Sequence, residues 1–97
     1  MTKAGYVYIL SNKPMGVLYI GVTDDLAKRV EQHRSGAVAG FTNRFNCQVL
    51  VWFERFENIH HAREFERRMK KWNRAWKVSR IVERNPKWHD LTPELNG

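Results

Sequence analysis

Between Tyr19 and His33 the chain changes its period once, and few folds accommodate that change. Tyr19-Ile20 is an apolar, β-prone run that pauses at Gly21, after which Leu26, Val30 and His33 recur at helical spacing. A strand is therefore expected to feed directly into a helix. Thr23 and Asp24 stand at the junction, and each can offer a side-chain oxygen to the unpaired N–H groups of a first helical turn. Arg29 and His33 are four residues apart and so share a helical face. A tyrosine at a strand end, a tight glycine and an Arg/His pair one helical step away could together enclose a phosphate.

Upstream, Tyr6-Val7-Tyr8-Ile9-Leu10 is a second β-type run, closed by the turn-rich Ser11-Asn12-Lys13-Pro14-Met15-Gly16. The two runs are expected to pair as an antiparallel hairpin. Residues two apart on a strand share a face, which sets Tyr6 beside Tyr8, and a suitable register brings Tyr19 across to them. Tyrosine also suits strands on packing grounds alone, so each ring taken singly reads as core.

Downstream, Arg34 to Gly40 closes the helix with glycines suited to a left-handed cap and loop, and Phe41 to Asn46 completes a long connection. Thr42, Asn43 and Arg44 could grip a sugar–phosphate backbone there, or simply be solvated. Gln48 to Phe56 reads as a third strand, expected to be central in the sheet. Asn58 suits an N-cap, and Ile59, Ala62, Phe65, Met69 and Trp72 form a core stripe on the helix it opens. Glu66 lies about 100° round from Phe65, at the edge of that stripe, where a carboxylate is shielded yet can face a cleft. Ala75, Val78 and Val82 suggest one more helix after a kink near Asn73, ended by Pro86, with Trp88 and Leu91 folding back as an anchor. The expected architecture is α+β, a small three-stranded antiparallel sheet flanked by helices in the order β-β-α-β-α-α. Residues 1–97 are expected to form one domain, with a core over about 5–84 and a tail over 85–97.

Charge indicates the partner. The net charge is +7, and nine basic against three acidic residues between Arg63 and Arg84 account for +6 of it. Such a bias favours a polyanion over a merely solvated face. Cys47, the single cysteine, permits no internal disulfide, and its place before Val49-Leu50-Val51-Trp52-Phe53 reads as a buried structural thiol. No apolar run approaches the roughly 20 residues of a membrane span, and Met1-Thr2-Lys3-Ala4-Gly5 lacks a signal-peptide core, so a cytoplasmic protein without a membrane partner is expected. Oligomeric state is left open.

Tyr6-Val7-Tyr8, then Tyr19-Ile20-Gly21, then Arg29, His33, Glu66 and the closing Asn85-Pro86-Lys87-Trp88-His89-Asp90-Leu91 form an ordered set across essentially the whole chain. The set resembles the GIY-YIG (URI) nuclease domain, and most of all its small single-domain bacterial members. The first signature departs from the family pattern, with Tyr6 for Gly and Val7 for Ile, whereas the second matches fully. The resemblance implies a three-stranded sheet and metal-dependent endonuclease chemistry on DNA, branched or damaged forms included. It implies Tyr8 and Tyr19 as the signature tyrosines, with Arg29, His33 and Glu66 completing a catalytic set. It further implies that a tyrosine phenolate activates water, that Arg29 meets the phosphate, and that Glu66 holds one divalent cation, Mg²⁺ or Mn²⁺. Tyr6, Thr42, Arg44, Arg67, Lys70, Lys71 and Asn85 are the candidate nucleic-acid contacts. An ordinary tyrosine loses its proton near pH 10, so a phenolate base requires help from Arg29 and a cation.

Other chemistry has little support. No Cys/His set has zinc spacing, and His60 and His61 point roughly 100° apart on a helix and read as surface residues. No glycine-rich phosphate loop precedes a helix, and a single carboxylate near the site does not suit a two-metal nuclease. Two competing readings are a nucleic-acid-binding module without catalysis and a protein-interaction domain using the Trp-rich C-terminal part.

Overall fold

The computed structural model describes residues 2–37 and 40–96. Strand β1 (Gly5–Ser11) pairs antiparallel with β2 (Leu18–Thr23) on one side and with β3 (Val49–Phe56) on the other. The hairpin turn between β1 and β2 is closed by Asn12, whose Oδ1 accepts from the backbone N–H of Val17 at 2.8 Å. The central position expected for residues 48–56 belongs instead to β1, whose Val7, Tyr8, Ile9 and Leu10 are all buried. Strand β3 lies at an edge, and its apolar run is nevertheless buried because helices and the C-terminal tail close over it.

Alternation along β1 divides the interior into two cores. Tyr8 and Leu10 pack with Leu26 and Val30 of α1 (Leu26–Arg34), together with Cys47 and Leu50. Between α1 and β3 lies a short helix, α2 (Phe41–Phe45), ended by Asn46 in the left-handed region. Val7 and Ile9 pack on the opposite face with Ala62 and Met69 of α3 (Ile59–Lys70) and with Trp52. Ile81 of α4 (Arg74–Arg84) completes that second core. Leu50 and Trp52 are two apart and would share a face in a regular strand. They do not, because Ile9 pairs with Trp52 while Leu10 pairs with Leu50, leaving Val51 as the extra residue of a β-bulge.

Helix α1 starts one residue later than Thr23 and Asp24 suggest. Asp25 is the N-cap, accepting from Lys28 N–H, while Thr23 Oγ1 accepts from Asp25 N–H one step earlier. Its end is as the glycines predict: Gly36 adopts φ +77°, with Gly36 N–H donating to His33 O and Ala37 N–H to Gln32 O, the paired bonds of a Schellman motif. Val38 and Ala39 of the following connection lie outside the described residues. Asn58 and Asn73 cap α3 and α4 through their side chains, so the expected kink at Asn73 is a break between two helices. On α4 Ile81 is buried and Val78 of the expected stripe is partly buried beside it, whereas Ala75 is exposed and Val82 is 40% exposed.

The tail closes the structure. Asn85 is buried, donates from Nδ2 to Val51 O and His89 O, and accepts at Oδ1 from His89 N–H. Trp88 is thereby turned into the second core with φ +57°, an uncommon conformation for a bulky residue that burial of the indole holds in place. A 3-10 turn at Thr92–Asn96 follows, and Arg34 ties it to α1 by bonds to Asp90 and Thr92. Among the described residues, no helix is long and apolar enough to cross a membrane.

Candidate active site

The register that pairs Tyr8 with Gly21 and Leu10 with Tyr19 sets both signature tyrosines on the face covered by α1. Their rings lie 6.3 Å apart, and the His33 ring stands 6.0 Å from Tyr8 and 5.2 Å from Tyr19. Gly21 is required by this arrangement: a Cβ there would run into the Tyr8 phenol. Strand β2 does not stop at Gly21 but runs on to Thr23, and the glycine within it makes room for the tyrosine of its neighbour.

Tyr8 Oη is 3.1 Å from His33 Nε2, and His33 Nδ1 is 2.8 Å from Thr42 Oγ1. All three residues are buried. Two proton arrangements satisfy these distances, because a neutral imidazole donates at one nitrogen and accepts at the other. Only the arrangement with Nδ1–H donating to Thr42 leaves Nε2 able to accept from the Tyr8 hydroxyl. Burial lowers the His33 pKa below its ordinary 6.5, and the Arg29 charge lowers it further, so the ring is neutral at neutral pH. Burial also pushes the Tyr8 phenol above its ordinary 10.0, with Tyr19 raising it further, Arg29 pulling it down and Glu66 raising it.

Arg29 is half-buried on α1. It shares a small cleft of about 150 Å³ with Lys3, Thr23, Asp24 and Arg63. Asp24 is satisfied by Lys3 at 2.7 Å, leaving Arg29 and Arg63 to set a positive potential there. Arg63 carries no motif signal of its own, although its place three residues before Glu66 puts the two on one face of α3, and that spacing could have found it. Glu66 has a side chain only 15% exposed, and its Oε2 pairs with Lys70 Nζ at 3.1 Å. Lys70 is 53% exposed on a flexible stem, and a carboxylate has more lone pairs than one ammonium occupies. No group of three His, Cys, Asp or Glu residues gathers among the described residues. A single hard carboxylate oxygen beside a phenol fits a Mg²⁺-like ion that keeps most of its waters, and does not fit zinc.

The other candidate contacts divide. Arg67 and Lys71 are exposed on or just after α3, alongside Lys70. Arg44 is exposed on α2, with its guanidinium 5.4 Å from the Phe45 ring centroid. Thr42 is buried, and its hydroxyl is turned to His33 rather than outward. Tyr6 opens into a cleft with Asp24, Asp25 and Leu95, where two carboxylates disfavour a phosphate. Asn85 has its amide committed to the backbone of β3 and the tail.

Residues 4–79 match the family described as the GIY-YIG catalytic domain. The chain is 37% identical over 91 residues to a UPF0213 protein of Clostridium perfringens, covering 94% of this chain and 97% of that one. A UPF0213 protein of Natronomonas pharaonis is 36% identical over 82 residues, covering 84% of this chain and 94% of the relative. Among solved structures, the solution structure of a UPF0213 protein from Bacillus halodurans superposes with a TM-score of 0.56 at 28% identity, covering 92% of this chain and 94% of that one. The tyrosine pair, the glycine beneath Tyr8 and the sheet that carries them therefore have a family: the chain belongs to the GIY-YIG catalytic-domain family, in company with the UPF0213 proteins.

Proposed function

We propose that the protein is a divalent-metal-dependent endonuclease that hydrolyses DNA phosphodiester bonds at the Tyr8–His33–Arg29–Glu66 site. The observation that carries this reading is the Tyr8 hydroxyl held 3.1 Å from His33 Nε2, with the Tyr19 ring packed against the same imidazole. In this reading the Tyr8 hydroxyl passes its proton to His33 Nε2, and the phenolate oxygen takes a proton from the attacking water. The water oxygen bonds to phosphorus as the bond to the leaving oxygen breaks, and that oxygen takes a proton from solvent while His33 returns one. Arg29, with Arg63 beside it, neutralises charge that builds on the phosphoryl oxygens. Tyr19 packs against His33 and limits its motion. Glu66 is the residue that would hold Mg²⁺ or Mn²⁺, and a bound cation would offset the Glu66 charge, which adds to burial and Tyr19 in keeping the Tyr8 proton in place.

The test is cleavage of duplex, single-stranded, branched and damaged DNA, and of RNA, by purified protein with Mg²⁺ or Mn²⁺, against an EDTA control. Tyr8→Phe removes the proton-transfer group and is expected to lower the rate by roughly 10²–10⁴-fold. Glu66→Gln keeps size and helix propensity but removes the charge, so metal-dependent cleavage should be lost while DNA affinity holds or rises. Parental rates in Glu66→Gln would remove the metal assignment. Silence of the parent protein across the whole panel would leave a nucleic-acid-binding module without catalysis.

A further inference from the structure

The nuclease reading uses α1, α2 and one face of α3, but leaves a second feature of the basic C-terminal half without a role. Trp76, in the first turn of α4, is 61% exposed, the largest such value among the exposed large hydrophobic residues described. Its ring meets Trp72 edge-on at 6.1 Å. The Arg80 guanidinium sits 5.2 Å from the Trp72 ring centroid and 5.6 Å from that of Phe65. Trp72, Trp76, Ser79, Arg80 and Glu83 together line an open groove of about 470 Å³.

We infer that this groove takes an unpaired base of single-stranded nucleic acid, stacked on Trp76 beside the Arg80 guanidinium. The inference rests on the nucleic-acid reading above and narrows it to substrates containing a single-stranded segment. Four observations argue for this occupant. The segment Arg63–Arg84 carries +6, so the surroundings of the groove attract a polyanion and oppose a second copy of the same cationic surface. An indole standing out of the surface presents a π-face, which a base can meet only when out of its own helix, because a duplex offers edges and phosphates. Arg80 is pinned in the groove wall by two aromatic rings, so its charge is already placed where the strand backbone would run. Glu83 repels phosphate at its end of the groove, leaving that position to a base, whose exocyclic amino group can donate to the carboxylate.

The experiment is equilibrium binding, by fluorescence anisotropy in EDTA so that no cleavage enters. The probes are a labelled oligodeoxycytidylate of roughly twelve nucleotides and a duplex of equal length. Trp76→Ala should weaken the single strand roughly 5–150-fold, the range that alanine gives at a stacking aromatic, while Trp76→Phe keeps most of the affinity. The duplex, held through phosphates, should change by less than about twofold. Alanine suits a helix and Trp76 is exposed, so the variant should fold; Trp76→Gln, a good helix former without a ring, serves if it does not. An unchanged single-strand affinity, an equal loss on both probes, or a parental dimer that Trp76→Ala splits on a sizing column would each overturn the inference. Single-strand binding lost in Trp76→Ala by a protein that cuts nothing would keep the groove and sink the nuclease proposal. Cleavage with no dependence on Trp76 for binding would do the reverse.

Discussion

A neutral histidine bonded at both ring nitrogens carries one ring proton, and its neighbours decide which nitrogen holds it. Here the deciding neighbour is Thr42, a buried hydroxyl 2.8 Å from Nδ1. Thr42→Val keeps the shape and removes the acceptor, so Nδ1 no longer favours the proton and Nε2 can turn from acceptor to donor toward Tyr8. Cleavage in Thr42→Val should fall by roughly ten- to hundredfold in kcat with KM little changed, less than loss of the acid–base group itself, and Thr42→Ser should restore most of it. If the valine variant cuts like the parent, Thr42 only fills space. The His33 pKa is depressed by burial, so its contribution to folding is complete above the ordinary value of 6.5 and is lost as pH falls below it. The acid limb of the rate profile should accordingly lie below pH 6.5, where His33 takes on a proton and can no longer accept one from Tyr8. In the sequence Thr42 is legible only as a polar residue in a loop, because nothing in the spacing of residues 33 and 42 says that a short helix folds one beneath the other. Gly21 reads in the sequence as a pause in a strand, although β2 continues through it to Thr23. Its deeper reason, the phenol of Tyr8 lying across it, is a cross-strand approach that emerges only once the register is fixed.

At the scale of elements, the strands and helices follow from local periodicity, and the departures occur where distant segments meet. Leu50, Val51 and Trp52 form a continuous apolar run, which suits a central strand as well as an edge strand with both faces covered. The bulge at Val51 resolves it, turning Leu50 into one core and Trp52 into the other. A bulge leaves backbone groups unpaired, and Asn85 answers by donating to Val51 O at 3.1 Å. The same amide shapes the tail through His89, so Asn85 joins β3, α4 and the tail. Asn85→Ala should therefore cost about 1–3 kcal/mol, the range for leaving buried polar groups unsatisfied. For a domain of this size the melting temperature should fall by roughly 4–8 °C per kcal/mol. Nucleic-acid affinity measured well below that melting temperature should be unchanged. A loss of affinity in a variant of parental stability would make Asn85 a contact residue instead. The inward face of α4 has a similar origin: Ile81 is buried and Val78 partly buried because β3 and α3 lie on that side, a fact its own sequence does not contain.

For the whole molecule, the sheet carries the tyrosines, α1 supplies Arg29 and His33, α3 supplies Arg63 and Glu66, and the excess charge lies in α3 and α4. The charge bias is the plainest of the global signals, since summing residues needs no fold. What the sum omits is pairing. Lys70 is drawn to Glu66, Arg68 lies 3.6 Å from Glu64, and Arg84 binds Glu54 at 2.8 Å, so part of the excess is already engaged within the protein. The cations of these pairs are exposed, and at the Arg68–Glu64 pair, exposed on both sides, the contact contributes about 0–1 kcal/mol, so an incoming phosphate can displace it. Changing Arg67, Arg68, Lys70 and Lys71 together to alanine should then weaken duplex binding and flatten its salt dependence. The expected change is roughly 0.9 in log K against log salt for each phosphate that is no longer neutralised. The slope decides the matter better than the affinity, because it reflects released ions and is insensitive to a small change in fold. A slope lower by about two would mean that only half of these cations meet the backbone, Arg67 and Lys71 being the expected pair because Arg68 and Lys70 each already face a glutamate. An unchanged slope would mean that the face serves solubility, and that DNA is held by the cleft around Arg29 and Arg63 alone.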